Sequence, residues 1–188
     1  MAEPNVNAVG FGPGLLYIAP LGTAEPTTIS TALDPAWVPL GYTDAGTSVA
    51  FVPTVTKLYA AESYYPLAAP VTAWDATISM KLLELTLKNL SAVMNAGVVT
   101  PTGANFAFTP PVVGTEVNVM LLLKGKNDPL TSQPSFIEIY RKCIQSGTVT
   151  IDHTKAAFSG LSATFTLLDV GGGIAPFTWL SDYIHNAA

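Results

Sequence analysis

Charge is scarce in this chain. Asp, Glu, Lys and Arg make up 11% of its 188 residues, against roughly 25% in an average soluble domain. A monomer so poor in charge would present water with a large neutral surface, so much of that surface is expected to be covered by neighbouring subunits or another partner. A membrane is excluded as a helical cover, because no run of ~18 uninterrupted apolar residues exists. The longest candidate, Ala8 to Gly22, carries four Gly and two Pro. The single Cys143 rules out an intramolecular disulfide and fits a reducing compartment; it reads as a small buried residue on a strand. Two histidines, His153 and His185, are too few for a zinc site of the usual Cys/His spacing.

The remaining residue types do not assemble a catalytic set either. His153 directly follows Asp152 on an expected strand, so the two side chains point to opposite faces and cannot serve one nucleophilic triad. Gly171 to Gly173 lacks the strand, helix start and acidic partner of a dinucleotide loop and reads as a hinge. No catalytic residue, cofactor or metal ligand can be named, and catalysis is not expected. Basic residues are absent before Lys57, whereas Glu3, Glu25, Asp34 and Asp44 precede it; this removes the basic region a secretory signal requires. The net charge of −5 argues against binding nucleic acid through its phosphates. A surface that must let DNA pass without holding it would want this sign.

What the chain does contain is strand signal, organised around Val71 to Gly97. Trp74, Ala76, Ile78, Met80 and Leu82 alternate with Asp75, Thr77, Ser79 and Lys81, the pattern of a half-buried strand. The period then changes: Leu83, Leu87, Leu90 and Met94 line one face of a helix, with Thr86 as its N-cap and Gly97 as its end. At this length one domain with extra arms is expected. Residues 1–13 read as an N-terminal arm, Gly14 to Pro20 as a short strand, 21–35 as a loop and Ala36 to Tyr42 as an edge strand, since Pro39 cannot donate to a ladder. A turn at Thr43 to Gly46 leads to a strand at 47–58. Then comes an aromatic stretch, Leu58 to Pro70, longer than connections in compact domains usually run. Its exposed aromatics point to docking on another protein; the alternative is that it folds back over its own sheet. Val98 to Pro111 reads as turn with a short strand at Phe106 to Phe108. Further strands are expected at Val117 to Lys124, Ser135 to Ile144, Thr148 to Thr154 and Gly160 to Val170. Residues 171–188 form a C-terminal arm behind the glycine hinge.

Several of these stretches together resemble a known family. GLLYIAPLGTAEP, PAWVPLGYTDAG, KLYAAESYYPLAAPVT, KLLELTLKNLSAVMNA and GLSATFTLLDV, in this order, look like the major tail protein (tail tube protein) of siphophages. The resemblance implies a mainly β fold, a β-sandwich or partly open barrel with one flanking α-helix and extended loop and terminal arms. It implies a structural virion protein, not an enzyme, assembled in the host cytoplasm into stacked homohexameric rings. These would form the tail tube, meet other tail proteins at the tube ends and conduct DNA during ejection without binding it specifically or anchoring to a membrane. Transferred to this chain, residues 53–70 become the inter-ring loop, with Tyr59, Tyr64, Tyr65 and Leu67 as contacts. The β domain then spans 1–170 and the arm after Gly171 is a departure from smaller family members. The polar strand faces become the channel wall: Asp75, Thr77, Ser79 and Lys81, with Thr148, Thr150, Asp152, Ser162, Thr164 and Thr166 on the late hairpin. Lys81 should be neutralised by Asp75 or a neighbour's carboxylate.

Two other classes compete. A different phage head or neck protein would share the low charge and β content without stacking rings. A β-sandwich carbohydrate-binding module would use Trp37, Trp74 and Trp179 as stacking platforms, although the alternation places Trp74 in the core.

Overall fold

The computed structural model describes residues 14–126, 136–153 and 160–181; the N-terminal arm, the centre of the polar loop after Lys126 and the tail bearing His185 lie outside them. Eleven strands and one helix follow in chain order: β1 (Gly14–Pro20), β2 (Val38–Pro39), β3 (Thr43–Val55), β4 (Val71–Leu82), α1 (Leu87–Val93), β5 (Val98–Thr102), β6 (Asn105–Thr109), β7 (Val119–Gly125), β8 (Phe136–Gln145), β9 (Thr150–Asp152), β10 (Gly160–Leu167) and β11 (Phe177–Ser181). Nine form one antiparallel sheet ordered β2-β1-β7-β8-β10-β4-β3, with β11 on β8 and β9 on β10. The sheet curls into a half-barrel, and β5 and β6 make a separate hairpin. The expected mainly β fold with a single helix is therefore what the chain adopts.

Curling gives the sheet an inside. Leu16, Ile78, Met80, Leu82, Leu121, Tyr140, Cys143, Leu161 and Phe165 meet there as the main core, each almost wholly buried. Strands β7 and β8 also have a covered outer face, where Ile29 and Trp37 of the 21–37 segment pack on Met120, Leu122, Ile137 and Ile139. Cover on both faces explains why Met120 to Leu123 is an unbroken apolar run and not an alternation. The Trp37 indole N–H donates to the Ala24 carbonyl at 3.0 Å. Arg141 grips Glu25 through two bonds of 2.7 and 2.8 Å and also donates to the Ala175 carbonyl, tying the segment and the C-terminal turn to β8. A register shift between Val119 and Leu121 lets both Tyr140 and Cys143, three residues apart, reach the same core. Burial pushes the Cys143 thiol up to about 12, in keeping with an inert packing residue.

The helix is capped as expected at its start: the Thr86 hydroxyl accepts from the Asn89 N–H at 3.0 Å. Its inward face and its end differ from the expectation. Asn89 and Val93 are the buried residues, because the Asn89 amide donates to the carbonyls of both Leu40 and Glu84 and draws that edge of the helix inward. Leu90 and Met94 pack beside them, while Leu83 lies before the helix. The helix stops at Met94, and Asn95, at φ 55°, makes the left-handed turn assigned to Gly97. Gly97 is needed for another reason, since a Cβ there would come within 2.5 Å of the Phe108 ring that seats the β5–β6 hairpin.

Three further departures concern strands. Pro101 disguised β5, which pairs with β6 along its whole length. The expected 47–58 strand runs 43–55. The glycine run is an ordered reversal, with φ of 83°, 64° and 72° and a bond from Ile174 N–H to the Gly171 carbonyl; it lays β11 antiparallel along Phe136 to Tyr140 of β8.

Candidate functional site

Two surfaces hold the residues singled out from the sequence. The first is the polar face of β4, β10 and β9. Pairing of β10 with β4 sets Ser162 opposite Lys81, Thr164 opposite Ser79 and Thr166 opposite Thr77; pairing with β9 sets Thr150 beside Ser162 and Asp152 beside Gly160. The residues read as two separate alternating sets thus form one continuous face. Hydroxyls bridge its strands: Ser79 to Thr164 at 3.1 Å and Ser146 to Thr166 at 2.6 Å. On the other side of β4 the face continues as Ser48, opposite Ser79, and Ala50, opposite Thr77.

Lys81 is the face's cation, and its neutralisation departs from the expectation. Its ammonium lies 3.2 Å from Asp44 and 3.5 Å from Asp152, both in the same chain, while Asp75 has no partner among the described residues. The hydrogen bond that Lys81 donates to the Asp44 carboxylate, reinforced by Asp152, raises the Lys81 pKa. Asp44 was read as part of a turn. In fact β3 begins there, and the irregularity between Thr43 and Thr47 delivers its carboxylate to the polar face. Four residues of β3 are set against two of β4 at this irregularity, and Asp44 escaped notice because the stretch holding it reads as a turn and not as strand.

The second surface is the β3–β4 hairpin. Beyond Val55 and Val71 the two arms continue as an extended ribbon, held by bonds from Thr56 N–H to the Pro70 carbonyl and from Leu58 N–H to that of Ala68. Tyr59, Tyr64, Tyr65 and Leu67 are all exposed on it, Tyr64 by 99%, so the ribbon projects and does not fold back. Trp74 belongs to this projection. The expectation that it sits in the core is wrong: it is 65% exposed, since burial on β4 begins only at Ala76. Trp37, by contrast, is 4% exposed and offers no stacking platform, which removes one of the three aromatics a carbohydrate-binding module would have used; Trp179 is exposed against Phe136.

These features make up a half-barrel with a hydroxyl-rich face, an aromatic projection and a long strand edge on β3. A family model described as phage tail tube protein matches residues 1–188, the whole length, and the chain belongs to that family. Membership makes it a virion component that assembles with itself and with other tail proteins. A search of curated proteins gave no match.

Proposed function

We propose that the chain forms stacked hexameric rings whose joined polar faces line the channel through which DNA is ejected, with the β3–β4 ribbon docking each ring on the next. One observation carries this reading. The face spanning Asp75, Thr77, Ser79, Lys81, Thr150, Asp152, Thr164 and Thr166 is continuous, rich in hydroxyls, and its lysine is held by two carboxylates. Such a face cannot be core, so it meets water or another chain; in a tube, the lumen is the water. Hydroxyls and carboxylates give DNA phosphates no free cation, and a strand passing over them is not retained, whereas each lysine added would hold a phosphate by releasing its counterion. The ribbon supplies tyrosines, a residue type enriched at interface cores.

Phage carrying Asp75→Lys together with Thr164→Lys test the reading. Both positions are on the strand surface, so tails and filled heads should form normally, while DNA ejection becomes slow or incomplete and recovers with added salt. Ejection at the parental rate would mean that these residues do not line the channel.

A further inference from the structure

Glu138 is a polar residue that the channel reading leaves without a task. It lies on the core side of β8, 8% exposed, between Leu123 of β7 and Trp179 of β11, its partners in the two strand pairings. One carboxylate oxygen, Oε2, accepts from the Tyr140 hydroxyl at 2.5 Å. No group among the described residues donates to the other, Oε1. That oxygen is not sealed in, since the buried side-chain polar atom left without a partner among the described residues is the Thr47 hydroxyl oxygen; Glu138 opens instead on a cleft. A carboxylate taken out of water with one oxygen unserved is costly, and such a cost is characteristically kept where function needs the group.

The cleft holds about 440 Å³, the scale of small-molecule sites, and runs between β8 with β11 on one side and Thr47, Val49 and Phe51 of β3 on the other. Aromatic rings crowd the carboxylate. Phe177 stacks on Tyr140 with ring centres 5.2 Å apart and meets Phe51 at 5.4 Å, while Phe136 meets Trp179 at 5.8 Å. Trp179, directly across from Glu138, leaves 59% of its surface exposed. Among the described residues that line the cleft there is no Lys, Arg or His, so the chain brings no cation of its own to the acid.

We propose that this cleft binds a small protonated alkylamine, whose ammonium donates to Glu138 Oε1 and lies against the aromatic rings beside it. Each competing ligand class fails on one feature of the cleft. An anion would meet the carboxylate, and a wholly apolar molecule would bury Oε1 without a donor. A metal ion needs several oxygen or nitrogen ligands, and no cluster of three acidic, His or Cys side chains exists among the described residues. An alkylammonium supplies what is missing: N–H donors for the oxygen, a positive charge for the ring faces, and methylenes for the apolar walls. The inference stands beside the ring reading and does not rest on it.

Titration calorimetry of the full chain with putrescine tests the site. At neutral pH one saturable site per chain is expected, and the neutral diol of the same length should give no binding. Glu138→Gln, which keeps the shape and an acceptor for Tyr140, should retain the parental circular dichroism spectrum and bind roughly tenfold or more weakly. Trp179→Ala removes an exposed ring and should weaken binding about threefold. Burial raises the Glu138 pKa, and only the ionised carboxyl takes the ammonium, so parental affinity should fall as pH is lowered through that raised value; Tyr140 is the other titratable group lining the cleft among the described residues, and its pKa is raised further from this range. Absence of saturable binding, equal uptake of the diol, or equal affinity in Glu138→Gln would overturn the site. Tubes formed by a chain that takes up no amine would overturn this inference alone and leave the ring reading standing.

Discussion

Glu138 is the residue whose setting most constrains the chain's response to pH. It is 8% exposed, faces Leu123 and Trp179 across its neighbouring strands, and accepts from the Tyr140 hydroxyl at 2.5 Å. Burial raises its pKa and the Tyr140 bond only partly opposes this; Tyr140 itself is pushed above its ordinary value by the same burial and the adjacent carboxylate. Among the described residues, Glu138 and Tyr140 are the titratable groups lining the cleft between β3 and β8. A carboxyl whose folded pKa exceeds its unfolded one binds protons more tightly when folded, so stability falls as pH rises from about 4.5 through the raised value, then levels off. Glu138→Gln should remove this fall and melt at a higher temperature than the parent above that window; a thermal scan against pH in which parent and variant run parallel would contradict it. Asn95 is a second such residue. Its side chain donates to the Gln145 carbonyl at 2.9 Å and accepts from the Gln145 N–H at 2.7 Å, while its backbone sits in the left-handed region. Asn95→Ala strands both backbone groups and should cost about 2–3 kcal/mol in chemical denaturation.

At the scale of elements, the helix tests a local signal. Thr86→Ala removes the cap bond and should lower stability by about 1 kcal/mol, with Thr86→Ser close to the parent. The cap, the alternation of β4 from Ala76 onward and the polar face of β10 were all legible in the sequence because each depends on neighbours a few residues away. What was not legible depends on distant chain. Alternation told which side Trp74 points to; where the body ends beneath it is set by distant chain, since β10 pairs with β4 only as far as Thr77, and no periodicity encodes that. Strand β11 exists because the N-terminal half of β8 has a free edge beside it, so its sequence alone read as an arm. Asn89 lies off the apolar helix face that the sequence marks, and it is drawn inward by bonds to the distant Leu40 carbonyl and to that of Glu84. The projecting ribbon gives a test of its own. Replacing residues 56–70 by a tight turn removes no core residue, so the subunit should fold with the parental melting temperature yet fail to stack, as read by sedimentation; normal tubes would make the ribbon ornamental.

The whole molecule is explained by its missing cover. A charged fraction of 11%, a long unguarded edge on β3, the uncovered Ile151, the exposed Trp74 and the Tyr64–Tyr65 tip are each a liability for a solitary subunit. In the proposed ring assembly they would share one resolution, burial against further copies through interfaces of ~2,000 Å² or more per contact, the size of obligate assemblies. The resemblance seen in five short stretches and the family match over residues 1–188 agree on what those copies build. Electron microscopy of the purified chain at high concentration tests this most directly. Hollow tubes of stacked six-fold rings, with a central channel that excludes stain no more than water does, are the expected result; a field of dispersed, folded monomers with no rings at any concentration would contradict the account.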